Sequence, residues 1–185
     1  MGSIALKRVS IAPHWKWASI ISLVIIAFDQ LTKRWIDQLL QIGEQRTLIQ
    51  GFLYLEHVRN PGAAWGFLAK GDIPWRGAFF VSVTILAIGM IVYMINKLAR
   101  TDKFQISALA LILGGAVGNL LDRFFYNEVI DFMLVYLGSF PWPNFNVADS
   151  AISVGVVVMI LLSLKRSPNQ PTEKSQSHVV ECDSP

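Results

Sequence analysis

Charge-free stretches constrain this chain more than any other feature: Gly77 to Asn96, Phe104 to Leu121, and Ala151 to Leu164, which reaches spanning length once Phe145 to Ser150 is added. Each is then long enough to cross a hydrocarbon core of about 30 Å. A fourth is less clean: Trp17 to Phe28 is free of charge, then "DQLTKRWIDQLL" follows, which predicts an amphipathic continuation that ends at Gly43. A 53% hydrophobic content and a mean hydropathy of +0.46 exclude an ordinary soluble domain. The expected fold class is therefore an all-α membrane protein with four transmembrane helices, at about 15–40, 76–97, 104–124 and 145–165. These form one polytopic domain, residues 1–166, with one sizeable loop at 43–74. Residues 167–185, rich in Ser, Pro, Gln and Glu, read as a disordered tail.

Lys7, Arg8 and Lys16 before a short apolar run resemble the start of a signal peptide, but no small-x-small cleavage pattern follows, so the segment is kept as the first span. Basic residues set the orientation. Lys7, Arg8 and Lys16 precede span one, Lys97, Arg100 and Lys103 join spans two and three, and Lys165 and Arg166 follow span four. The density of positive charge is lower in the long loop, at Arg46, Arg59, Lys70 and Arg76, which places both termini in the cytoplasm and the loop outside. The net charge of +3 is accounted for by these flanks and suggests no nucleic-acid partner. Cys182 is the single cysteine and His14, His57 and His178 are scattered, so neither a disulfide nor a metal centre is expected, and no cofactor.

This topology brings the unusual polar residues to one membrane face. Asp29 and Lys33 close span one, Asn60 and Gly62 lie in the loop, Asn119, Asp122, Arg123 and Asp131 close span three, and Asn146 and Asp149 open span four. Asp29 and Lys33 have the i, i+4 spacing of a helical ion pair, with contact between Lys33 and a lipid headgroup as the alternative. Gly114 and Gly118 have the small-xxx-small spacing of close helix packing. Asn119 and Asp122 share a helical face, and Arg123 points elsewhere, toward carbonyls at the helix end. Asn60-Pro61-Gly62 marks a turn. Trp65 and Phe67 beside it either line a groove or join the interfacial aromatics, the role expected of Trp15, Trp17, Trp35, Trp75 and Trp142.

Asn146 and Asp149 have the spacing of a helix cap. Asp131 lies in the apolar "EVIDFMLV", where an ionised carboxylate costs about 2.5 to 3.5 kcal/mol, and a second carboxylate nearby is a reason to tolerate it. Two such acids share protons, the helix N-terminus favouring the anion on Asp149 and leaving Asp131 as proton carrier, although the pair titrates as a unit. An acid and a base flanking a water suit amide hydrolysis. Spacing alone leaves open whether Asp122 or Asp131 is the partner of Asp149. A proton-coupled transporter also needs membrane carboxylates, but near the midplane and usually with internal repeats. A packing subunit would need the glycines and no paired acids.

"DQLTK" at 29–33, "RNPGAAWG" at 59–66, "GGAVGNLLDR" at 114–123, "VIDF" at 129–132 and "FNVAD" at 145–149 resemble, in order and spacing, the motifs of the bacterial lipoprotein signal peptidase family, also called signal peptidase II. The resemblance covers about residues 15–165. It implies a four-helix aspartyl endopeptidase of the bacterial inner membrane, with a small periplasmic β-sheet from the first loop. Such an enzyme cuts the signal peptide from a prolipoprotein just before its diacylglyceryl-modified cysteine. By similarity the catalytic pair falls on Asp131 and Asp149. Asp29, Lys33, Asn60, Gly62, Asn119, Asp122, Arg123, Asn146 and Ala148 are carried over as residues that bind substrate or support the site. Globomycin is the inhibitor expected for the groove, and membrane lipid the other partner. The segments 131–145 and 43–74 are expected as mobile covers of the cleft.

Overall fold

The computed structural model describes residues 13–62, 68, 71, 73–98 and 102–165. The leader basics Lys7 and Arg8, the loop aromatics Trp65 and Phe67, and the tail 167–185 with Cys182 lie outside the described residues. The element order is α1 (Pro13–Leu39), β1 (Gln45–Ile49), β2 (Leu53–Asn60), α2 (Arg76–Lys97), α3 (Lys103–Tyr126), β3 (Val129–Leu137), β4 (Phe140–Pro141) and α4 (Val147–Lys165).

Of these, α2, α3 and α4 are long and apolar enough to cross a membrane. The apolar run of α1 is interrupted by Asp29, Lys33, Arg34 and Asp37. Those of α2 and α4 are only 17% buried inside the protein, against 56% for α3. Their outward Leu, Ile and Val side chains therefore require an apolar surrounding, whereas α3 is the packing centre.

Small residues explain that central position. α3 packs against α1, α2 and α4. A Cβ at Gly114 would lie 2.9 Å from the Ser22 carbonyl oxygen of α1, and one at Gly115 would lie 2.4 Å from the Ala148 carbonyl oxygen of α4. Gly155 of α4 returns the arrangement, facing the Ala108 carbonyl oxygen at 2.7 Å. Backbones thus approach where a methyl group would not fit, which is how helices gain van der Waals contact in lipid. At one end Ala18, Ile91, Ile95, Ile106 and Leu109 form an apolar core; toward the other, Ile36, Leu40, Leu55 and Phe132 join helix to sheet.

The four strands are antiparallel in the order β1-β2-β3-β4. Two expectations are corrected here. The sheet is not built from the first loop alone: that loop supplies β1 and β2, and the segment between α3 and α4 supplies β3 and β4. The chain is otherwise mostly helical with a small antiparallel sheet, as expected. Asp131, expected at the close of span three, lies on β3 opposite Val58 of β2. The physical reason is local. Asn127 takes a left-handed conformation (φ 59°) that ends α3, and "VIDFMLVYL" then offers the β-branched and aromatic side chains that favour a pleated strand. A strand paired along its length is not the mobile cover anticipated for the start of 131–145.

Candidate active site

The site begins with how α4 starts. Asn146 Oδ1 accepts the backbone N–H of Asp149 at 2.9 Å, and Asp149 Oδ2 accepts the backbone N–H of Asn146 at 3.2 Å. This reciprocal cap satisfies two donors that a helix start leaves free. With its oxygen occupied by a backbone donor, Asn146 must present Nδ2 elsewhere. It donates to Asp131 Oδ1 at 2.8 Å, and lies 3.2 Å from both Ile130 O and Asn119 Oδ1. One buried amide therefore links the helix acid to the strand acid.

The remaining asparagines are oriented by the same logic. Lys33, which has only donors, gives Nζ to Asn119 Oδ1 at 2.9 Å, so Asn119 Nδ2 faces Asp149 Oδ1 at 2.8 Å. Asn60 Oδ1 accepts the Gly62 N–H at 3.0 Å across the Asn-Pro-Gly turn, and its Nδ2 donates to Asp131 Oδ2 at 2.9 Å. Both carboxylates are thus held by amide donors whose polarity backbone or lysine donors dictate.

Behind them Lys33 is fully buried with Asp29 and Asp122, each 2.8 Å away. This excludes headgroup contact by Lys33. Asp29 also accepts the Ala148 N–H at 2.9 Å, and Asp122 the Ile130 N–H at 3.2 Å. Asp122 is therefore engaged by Lys33 and the backbone, whereas Asp131 and Asp149 share Asn146 and line one cavity. Arg123 reaches the Gly62 carbonyl at 3.3 Å and lies over the Phe80 ring. It bonds a loop carbonyl rather than those of its own helix end.

Gln30 was not singled out by sequence reasoning. Its Nε2 lies 2.9 Å from Asp122 Oδ1 and 3.2 Å from both Asp29 Oδ2 and the Gly118 carbonyl, closing the network. The available signal was an amide beside Asp29 where the apolar run breaks. Asn144, also missed, donates to Glu56 Oε2 at 2.8 Å and fixes the segment before α4 to β2.

Burial, and next the charge of Asp149, push the Asp131 carboxyl up to about 7; Asn60, Lys33 and Asn146 oppose the shift. The cavity holds about 670 Å³. Asn60, Asn119, Arg123, Asp131 and Asp149 line its polar part, while Trp142, Pro143, Phe145, Ile152 and Val154 give it apolar walls. Trp142, read from sequence as an interfacial anchor, is thus one of the walls. Among the described residues no cluster of three or more His, Cys, Asp or Glu is arranged to hold a metal ion. What the arrangement can do is hold a water between a carboxylate and a carboxylic acid beside an apolar groove.

The family model described as signal peptidase (SPase) II matches residues 21–165, which contain this whole network. The chain belongs to the signal peptidase II family. The resemblance read from the five motifs is thereby borne out, and with it membership in a family of membrane aspartic peptidases. The lipoprotein signal peptidase of Maridesulfovibrio salexigens is 47% identical over 144 residues, 78% of this chain and 92% of that protein. The lipoprotein signal peptidase of Syntrophus aciditrophicus is 44% identical, over 75% of this chain and 86% of that protein. A bacterial membrane enzyme solved by the in meso method at 2.3 Å superposes with a TM-score of 0.74 at 33% identity, covering 88% of this chain and 93% of that one. Signal peptidase II relatives therefore match the helices and the acid-bearing elements alike.

Proposed function

We propose that this chain hydrolyses the amide bond before the diacylglyceryl-modified cysteine of a prolipoprotein, removing the signal peptide, with Asp131 and Asp149 as its catalytic pair. The observation that carries the assignment of the pair is Asn146, which joins the two acids at the polar part of a cavity with apolar walls.

In this reading Asp149, at a helix N-terminus that favours negative charge, takes a proton from the attacking water. Asp131 retains its proton near neutral pH and gives it to the carbonyl oxygen as the tetrahedral intermediate forms. Collapse returns a proton to the leaving amine nitrogen, the C–N bond breaks, and the signal peptide leaves with a new carboxyl terminus. Asn60 and Asn119 keep both acids aimed, and Asp29, Lys33, Asp122 and the Ala148 N–H hold α1, α3 and α4 in register behind them. Gly62 and Arg123 fix the loop at the cavity's edge.

The same reading takes α1 as a fourth span within a single membrane domain, residues 1–166, of the bacterial inner membrane. Both termini are cytoplasmic and the sheet and site periplasmic. A lipid-bearing substrate then enters sideways from the bilayer, its acyl chains in the apolar part of the groove, and globomycin occupies the same groove. The test is cleavage by purified protein of one prolipoprotein with and without its diacylglyceryl group. Cutting of the lipidated form alone, before its cysteine, supports the proposal; folded protein that cuts neither form defeats it.

A further inference from the structure

Hydroxyl groups in apolar helices ordinarily return their hydrogen to a carbonyl one turn back. Ser150 does so, its Oγ donating to Asn146 O at 2.9 Å, as do Thr32 to Phe28 O at 2.8 Å and Thr84 to Phe80 O at 2.7 Å. Ser153 does not. Like Ser19, Ser82 and Ser163 it is exposed and its Oγ has no hydrogen-bond partner among the described residues, but of these four it alone lines the catalytic cavity. It stands four residues after Asp149 on the same face of α4, about 6 Å further along the axis. Ile152 and Val154 flank it as apolar lining.

An apolar groove selects for hydrocarbon but is indifferent to how that hydrocarbon is linked. A hydroxyl donor set within it is not indifferent, because an acceptor brought into that groove requires a partner. If the scissile carbonyl sits at Asp131 and Asp149, the glyceryl group on the adjacent cysteine lies several bonds further on, a distance of the same order as the step from Asp149 to Ser153. Its ester carbonyl oxygens accept and do not donate, which matches a hydroxyl with an uncommitted hydrogen. We infer that Ser153 donates a hydrogen bond to an ester carbonyl oxygen of the substrate's diacylglyceryl group, an acceptor that ether-linked chains lack, and so distinguishes ester-linked from ether-linked chains. The inference rests on the peptidase reading and adds a specificity-determining residue to it.

The test compares one prolipoprotein peptide carrying either a diacylglyceryl or a dialkylglyceryl cysteine, cleaved in alkyl maltoside micelles so that only the substrate carries esters. For the unaltered protein kcat/KM is expected to favour the diacyl form by roughly two- to tenfold, the worth of one neutral hydrogen bond. In Ser153→Ala, a change that suits a helix, that ratio collapses to about one; in Ser153→Thr, which keeps the hydroxyl, it persists. Equal cleavage of both substrates by the unaltered protein, or a ratio that survives in Ser153→Ala, overturns the inference and leaves the peptidase reading standing. Cleavage of neither substrate by folded protein overturns both.

Discussion

Asn146 and Asp149 cap each other: each accepts the other's backbone N–H through a side-chain oxygen, at 2.9 and 3.2 Å. The acid that starts α4 is therefore also an acid facing the cavity, and the amide that caps the helix is also the link to Asp131. Structural and chemical readings of this pair, alternatives when each residue is taken singly, describe the same hydrogen bonds.

Replacing either acid by its amide isolates the chemistry. Asp131→Asn and Asp149→Asn should each lower kcat/KM by about 10²- to 10⁴-fold or more while the protein remains folded. Asparagine can still cap α4. Cleavage of a lipidated prolipoprotein, with helical content followed by circular dichroism, measures both. Activity within a few-fold of the parent in either variant would remove that residue from the pair.

The raised Asp131 carboxyl predicts two pH effects of defined sign. Folded, it holds its proton up to about 7, against an ordinary value of 3.8. Between those values the native state binds more protons than the unfolded state, so this group's contribution makes stability fall as pH rises through the window. If that proton reaches the carbonyl oxygen, kcat/KM also declines on the alkaline side, with an apparent midpoint near 7 belonging to the pair. Asp131→Asn should flatten the stability slope. Activity that instead climbs steadily above pH 7 would make Asp131 the base.

Lys33 should matter for stability and activity by separable routes. Lys33→Met leaves Asp29 and Asp122 buried without their cation, at about 3 to 5 kcal/mol by analogy with other broken buried pairs. Combining it with Asp29→Asn and Asp122→Asn should recover part of that loss in thermal unfolding. Activity should stay low, because Asn119 Oδ1 loses its closer donor and keeps only Asn146 Nδ2 at 3.2 Å to hold its own Nδ2 toward Asp149. Full recovery of turnover in the triple variant would show that the orientation of Asn119 does not depend on Lys33.

The glycines make a graded series. Gly115→Ala pushes a methyl group to 2.4 Å from the Ala148 backbone oxygen, Gly118→Ala to 2.6 Å from Asp29 Oδ2, and Gly89→Ala into open space. The first should cost most, about 1 to 3 kcal/mol, because backbone yields less readily than a side chain. The second should disturb the Lys33 cluster, and the third should be neutral or slightly stabilising. Equal melting temperatures across the series would contradict close packing of α3.

Sequence carried the apolar helices, the convergence of the polar residues and the α4 cap, because these follow from hydropathy, local spacing and the order of the chain. It located Asp131 but misread its element. Pairing of Val58 with Asp131 joins residues far apart in the chain, and nothing local to "VIDF" specifies that partner. Gln30 and the contact between Asn144 and Glu56 were missed for a related reason. An amide's significance depends on which acceptors the packed fold brings to it, and those lie on other elements.

The dual duty of Asn146 has a consequence for how such a protein comes into being. Asp131 and Asn60, which donates to it, are made before the last helix, and Asp131 meets Asn146 only when the first turn of α4 closes. A nascent chain halted before α4 has Asp131 but neither Asn146 nor Asp149. On the proposed pairing, proteolytic competence therefore waits until the last helix is in place.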